Sequence, residues 1–133
     1  MERTMGSFII MLSLALGSSI ASSDELHSKL NATVRKDSKG HRHFTFALTP
    51  GAGLVKNLEG PWALDVSDAP ELSFQKPKLG KADLNETDLS FSLETSTPPK
   101  TEKGKLNYKF VGFVCTADKS KCFRDVHKGS VMW

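Results

Sequence analysis

The sequence predicts an all-β protein folded as an antiparallel β-sandwich. About seven short runs alternate apolar and polar residues, which is typical of strands that bury one face. Clusters of glycine, proline, asparagine, aspartate and serine separate these runs. No stretch of the 133 residues shows a sustained helical period. About seven short strands with frequent turns in roughly 100 residues are typical of a sandwich.

Residues 1–21 predict a secretory signal peptide. Arg3 supplies a weakly positive start, Phe8 to Leu16 is apolar, and Ser19-Ile20-Ala21 places small residues at a cleavage site. A retained anchor or a buried N-terminal helix is the alternative, but the apolar run is shorter than the roughly 20 residues of a membrane span. We therefore divide the chain into a signal peptide (1–21), a leader with the first strand (22–40) and a β-sandwich domain (41–133).

The first two predicted strands form a hairpin. Leu30, Ala32 and Val34 alternate with polar residues, and His43 to Leu48 resumes the same alternation. Asp37 to Gly40 lies between them and has the residue types of a turn, with a glycine that tolerates positive φ. Two alternating runs joined by such a turn predict an antiparallel pair.

The middle of the chain predicts shorter strands separated by loops. Pro61 to Val66 is one strand, since a proline without an N–H group suits the start of a strand. Leu72 with Phe74 predicts a second strand, and Leu89 to Leu93 predicts a third. The intervening segments 50–60, 78–88 and 97–104 are expected to be loops. The aromatic side chains expected in the core are Phe44, Phe46, Trp62 and Phe91.

The longest strand signal lies near the C-terminus. Leu106, Tyr108 and Phe110 face one way, and from Val111 to Cys115 both faces become apolar, as in a strand covered on two sides. Phe123 to Val126 predicts a final short strand.

Cys115 and Cys122 are the only two cysteines of the chain. If residues 117–120 form the turn, the cysteines oppose each other across a hairpin, at a Cα separation of about 4.5–5.5 Å that a disulfide accepts. Two cysteines of an exported chain most often pair. The closed loop is short, so the bond adds only about 2.5 kcal/mol of stability, and strain in such a short-range bridge would make it easier to reduce.

Cations outnumber acidic groups around the cysteines. Such cations favour the thiolate form of a cysteine, and thus reactivity. They are Lys119, Lys121, Arg124, His127 and Lys128, against Asp118 and Asp125. Spacing and charge by themselves leave two hypotheses open, a redox-active pair and a plain structural disulfide.

The run Val111-Gly112-Phe113-Val114-Cys115, followed by Lys121-Cys122-Phe123, resembles the N-terminal periplasmic domain of the thiol:disulfide interchange protein DsbD. The resemblance covers roughly His43 to Val126 and is specific around the cysteines. It implies an immunoglobulin-like sandwich in the periplasm, with Cys115 and Cys122 as the catalytic pair. The implied partners are periplasmic thioredoxin-like proteins and a separate membrane reductant. It also implies an aromatic cap over the cysteines, for which Phe74 or the 76–80 loop is the candidate.

Other classes of function find less support. The net charge of +3 is mild and does not indicate nucleic-acid binding, and no serine lies in a nucleophile-elbow motif. His41 and His43 share a strand face, and sharing a metal with His27 or His127 is conceivable, but two histidines do not complete a site. We predict no metal and no cofactor. The alternative to redox exchange is a non-catalytic binding module with a structural disulfide.

Overall fold

The computed structural model describes residues 25–67 and 69–133. The predicted signal peptide lies outside these residues. The described part contains eight β-strands and one short 3-10 helix at Lys81–Asp83. The strands are β1 (Ser28–Lys36), β2 (Arg42–Pro50), β3 (Leu54–Lys56), β4 (Ala63–Ser67), β5 (Lys78–Leu79), β6 (Ser90–Glu94), β7 (Lys105–Thr116) and β8 (Cys122–Met132). Within residues 25–67 and 69–133, no helix has the length and apolar character to cross a bilayer.

The strands form two antiparallel sheets, and the predicted all-β sandwich is confirmed. The first sheet has the order β1-β2-β6. The second sheet is built around β7, which pairs with β8 along one edge and with β3 and β4 along the other, while β5 extends β4. The twelve residues of β7 therefore organise five of the eight strands.

The core lies between the inner faces of the two sheets. Alternate residues of each strand fill it, and its most deeply buried apolar side chains are Phe44, Phe46, Trp62, Leu64, Phe91, Leu106, Phe110 and Val114. The four aromatic residues expected in the core are all confirmed there. Gly112 permits a close approach of the sheets, because a Cβ atom at this position would lie 2.8 Å from Leu48 Cδ1 and 3.0 Å from Trp62 Cζ3.

The hairpin predicted from Leu30 to Leu48 is confirmed as β1 and β2, which pair from Ser28–Pro50 to Lys36–Arg42. The double-sided burial predicted for the end of β7 is also found. Val111 and Cys115 are buried on its outer face. Between them, the ring of Phe113 lies under the loop after β3, so close that a Cβ atom on Gly60 would be 2.4 Å from it.

The predicted strand at Leu72 and Phe74 is wrong. Leu72 N donates to Ala69 O in a turn, and Phe74 makes only an isolated bridge to Thr95. The turn-forming residues around Pro70 leave too few residues in an extended conformation for a ladder.

Two predicted loops contain short strands, and the last strand is longer than predicted. β3 lies in the 50–60 segment and β5 in the 78–88 segment. Both are sheet-edge strands of two or three residues, too short to show an alternating pattern. β8 extends to Met132 because β7 offers it a partner along its whole length. Its buried polar residues Asp125 and His127 hide the apolar alternation.

Candidate functional site

The cysteine pair closes the hairpin between β7 and β8. Cys115 and Cys122 are direct partners in the strand register and form a disulfide with a Cα–Cα distance of 4.0 Å. In the next pair towards the turn, Thr116 N donates to Lys121 O at 2.8 Å. The cysteines therefore occupy a non-hydrogen-bonded pair, the position where opposed side chains approach most closely. The predicted hairpin disulfide is confirmed.

Asp118 organises the turn between the cysteines. Its Oδ1 atom accepts hydrogen bonds from Ser120 N at 3.0 Å, Thr116 Oγ1 at 2.7 Å and Ser120 Oγ at 2.8 Å. These bonds, led by the Ser120 N–H group, lower the pKa of Asp118 to about 2. Lys119 has a φ of 61°, in the left-handed region that a tight turn requires. The turn is thus held by its own hydrogen bonds as well as by the disulfide.

The two cysteines differ in exposure. Cys115 is only 1% exposed, whereas Cys122 is exposed to solvent. Cys115 lies on the central strand β7 with Val55 of β3 beside it, and Cys122 begins the edge strand β8. An attacking thiolate must reach a sulfur atom directly, so the geometry favours attack at Cys122.

The immediate surroundings of Cys122 are positively charged. Lys119, Lys121 and Arg124 are exposed, and no ion pair formed within residues 25–67 and 69–133 involves their side chains. Asp118 is the acidic group of the turn. The net local charge favours the thiolate of a reduced Cys122.

The structure does not bring Phe74 to the cysteines. Phe74 bridges Thr95 and packs edge-on against Phe44, with ring centroids 5.9 Å apart. Those contacts lie where β2 begins, whereas the cysteine end of β7 lies near the end of β2, where Leu48 approaches Gly112. The 76–80 loop contains β5, which pairs with Leu64 and Asp65 of β4. The side chain directly beside Cys115 is that of Val55, its register partner on β3.

The four histidines fall into two separate groups. His41 and His43 lie where β2 begins. His27 lies where β2 ends, since its O atom accepts a hydrogen bond from Gly51 N, and His127 lies in the same region, 2.9 Å from Ser28 Oγ. A nine-residue strand separates the groups by roughly 25 Å. The metal site that would combine His41 and His43 with His27 or His127 therefore does not form. His41 Nδ1 donates to Thr95 O at 2.9 Å.

A buried polar cluster joins β1 to β8, and the sequence reasoning missed it. Ser28 Oγ donates to Asp125 Oδ2 and lies 2.9 Å from His127 Nε2, and His27 N donates to the same Asp125 atom at 2.8 Å. Burial lowers the pKa of His127, while the Asp125 carboxylate opposes that shift. A neutral His127 with its proton on Nε2 donates to Ser28 and completes the network.

This cluster is not a catalytic triad. In such a triad the histidine lies between the serine and the carboxylate and accepts the serine proton, whereas here Ser28 lies in the middle and donates to Asp125. The sequence signal for this cluster was the position of two polar residues within a strand. Asp125 and His127 occupy the inward alternation that Phe123 begins and Val131 ends, and an inward carboxylate needs a hydrogen-bond donor.

In comparisons with known proteins, no family model, curated protein or solved structure matches this chain significantly. The resemblance to the DsbD N-terminal domain therefore stays a prediction that depends on the cysteine segment.

Proposed function

We propose that the chain is an exported thiol:disulfide interchange domain that relays electrons through Cys115 and Cys122. The observation that carries the proposal is the unequal exposure of the two cysteines in one hairpin disulfide. The compartment that fits is the periplasm. Partners of the matching chemistry are thioredoxin-like dithiol proteins, together with a separate membrane reductant.

The exchange reaction follows from this geometry. A thiolate of a reduced partner attacks Cys122 Sγ, a bond forms between those two sulfurs, and the Cys115–Cys122 bond breaks. Cys115 leaves as a thiolate and takes a proton from solvent. The partner's second thiolate then attacks the partner's first sulfur, which is bonded to Cys122 in the mixed disulfide. The partner's disulfide forms and Cys122 leaves as a thiolate. The partner dithiol has been oxidised to a disulfide, and the Cys115–Cys122 disulfide has been reduced by two electrons.

The reverse reaction passes the electrons on. Cys122 attacks the disulfide of a downstream partner, and Cys115 resolves the mixed disulfide from its buried position. The exposed cations beside Cys122 support this step, because they stabilise the attacking thiolate. Their charge also favours partners with an acidic surface around the reactive sulfur.

Trapping of mixed disulfides tests the proposal. In a Cys115→Ser variant, Cys122 has no resolving thiol, so we expect it to accumulate mixed disulfides with partners in a periplasmic extract. The matched Cys122→Ser variant should trap several-fold less, because Cys115 is buried. Equal trapping by both variants, or none by either, would contradict the proposed relay.

A redox titration separates the relay from the alternative function. A bridge that exchanges with partners should have a potential above about −300 mV, and a structural disulfide should lie below it. A value well below that limit, with binding partners retained after both cysteines are replaced by serine, would favour the non-catalytic binding module.

A further inference from the structure

We propose that Asp37, His43 and Glu94 form a binding site for a divalent transition-metal ion of the Zn²⁺ type. The three side chains lie on the outer face of the β1-β2-β6 sheet, where β2 begins. This location is remote from the cysteine pair, so the inference does not depend on the relay function.

The ligand atoms are already close to the spacing that zinc requires. His43 Nε2 lies 2.9 Å from Asp37 Oδ2 and 3.7 Å from Glu94 Oε2, and all three ligand atoms lie within 4.8 Å of one another. Tetrahedral coordination with bonds of about 2.0–2.1 Å places neighbouring ligand atoms about 3.3 Å apart. The two distances from His43 fall on either side of this value, so small side-chain rotations bring the atoms into position. On binding, His43 Nε2 gives up to solvent the proton that it donates to Asp37 in the metal-free protein, and its lone pair takes the ion.

The backbone places two of the ligands directly opposite each other. His43 of β2 and Glu94 of β6 are partners in the strand register, and their side chains share the outer face of the sheet. Both come from paired strands, which hold a site more rigidly than loops do. The β2–β6 ladder thus brings together two residues that are 51 positions apart in the chain.

Asp37 is held in place by the turn between β1 and β2. Its Oδ1 atom accepts hydrogen bonds from Lys39 N at 2.9 Å and His41 N at 3.0 Å, which leaves Oδ2 directed at His43. A ligating carboxylate whose other oxygen is hydrogen-bonded is the usual arrangement around a protein-bound metal.

The charges and the exposure of the site also suit a cation. Two carboxylates and one neutral imidazole give the three ligands a charge of −2, and Arg35, the exposed neighbour of His43 on β1, offsets one unit. The side chains of Asp37, His43 and Glu94 are 25%, 23% and 57% exposed. An ion can therefore enter from solvent, and water can fill the fourth coordination position.

Isothermal titration of the chelator-treated, disulfide-intact protein with ZnCl₂ tests the proposal. We expect one saturable site per chain and a higher Tm in the presence of zinc. Replacement of a ligand should weaken binding at least tenfold in each of Asp37→Asn, His43→Gln and Glu94→Gln. Glu94 is the most exposed of the three ligands, so Glu94→Gln tests the site even if a change at Asp37 disturbs the turn.

Two matched controls exclude other zinc ligands. His41→Gln removes a neighbouring histidine whose Nδ1 is bonded to Thr95 O, and Glu86→Gln removes an exposed carboxylate outside the site. Both should bind zinc as the unchanged protein does, and so should the double Cys115→Ser, Cys122→Ser variant. Absence of saturable binding up to millimolar zinc, or equal affinity in the three ligand variants and the controls, would overturn the proposal.

Discussion

The β1–β2 turn and the β7–β8 turn each contain an aspartate that accepts hydrogen bonds from backbone N–H groups just after it. Asp37 bonds the N–H groups of Lys39 and His41, and Asp118 bonds that of Ser120. Both carboxyl groups have a pKa of about 2. The turns differ in what lies beside the aspartate.

At the β7–β8 turn, the cysteines, the aspartate and its hydrogen-bond donors all lie close together in the sequence. Cys115, Thr116, Asp118, Ser120 and Cys122 lie within eight consecutive residues, and the hairpin alone brings them together. At the β1–β2 turn the second carboxylate, Glu94, arrives from β6. Similar turn chemistry therefore lies beside a local cysteine pair in one hairpin and beside a non-local group of potential ligands in the other.

The largest effect is expected where the two hairpins meet. Asp125→Ala leaves Ser28 Oγ and His27 N without their shared buried acceptor, and the loss of hydrogen bonds to a buried charge should lower the free energy of unfolding by about 3 kcal/mol. Urea denaturation measures this loss. Asp88→Ala removes an exposed carboxylate and should stay within about 0.5 kcal/mol of the unchanged protein. A similar decrease in the free energy of unfolding in both variants would show that the polar cluster does not stabilise the contact between β1 and β8.

The disulfide should contribute slightly less. Replacing both cysteines with serine opens a short loop, and the chain-entropy relation gives a loss of about 2.5 kcal/mol in the free energy of unfolding. Reducing the unchanged protein with dithiothreitol should give a comparable loss in the same urea experiment. A loss of less than about 0.5 kcal/mol would contradict this expectation and mean that the disulfide adds little to the stability of the domain.

Acidification should weaken the junction between the hairpins through His127. Burial holds the pKa of His127 below its ordinary value of 6.5, so below pH 6.5 the unfolded chain binds more protons than the folded one. The stability due to neutral His127 is fully present above pH 6.5 and is lost as the pH falls towards the folded-state pKa. Urea midpoints measured between pH 8 and pH 5 should therefore decline less steeply in His127→Gln. His41→Gln, which changes a histidine outside the Ser28–Asp125–His127 cluster, is the control. Its urea midpoints should show the steeper decline of the unchanged protein.

The smallest effect concerns the two aspartates themselves. The bond from His43 is the largest cause of the low pKa of Asp37, whereas backbone and hydroxyl groups of its own turn cause that of Asp118. In metal-free His43→Gln protein, the pKa of Asp37 should rise towards 3.8 while that of Asp118 stays near 2. Carboxyl carbon shifts in an NMR pH titration measure both groups. Parallel movement of the two values would contradict the contrast between the turns.

Most strands were predictable from the sequence because a half-buried strand alternates in polarity. The β1–β2 hairpin, the inward face of β4 and the long strand β7 follow such alternation. β3 and β5 could not be predicted in this way, since strands of two or three residues are too short to show an alternating pattern. Such strands depend on a neighbouring strand for their hydrogen bonds. The full length of β8 was hidden by the polar residues at its inward positions.

The cysteine hairpin was predictable from the sequence. Two cysteines with a turn between them can meet through local pairing alone, so spacing and turn chemistry were sufficient to predict the bond. The three-dimensional packing makes Cys122 exposed and Cys115 buried, because Cys115 lies between two strands whereas Cys122 begins an edge strand. It also decided that Asp125 meets Ser28 and that Glu94 meets His43. Those contacts join residues 97 and 51 positions apart, and no local pattern records which strands will become neighbours.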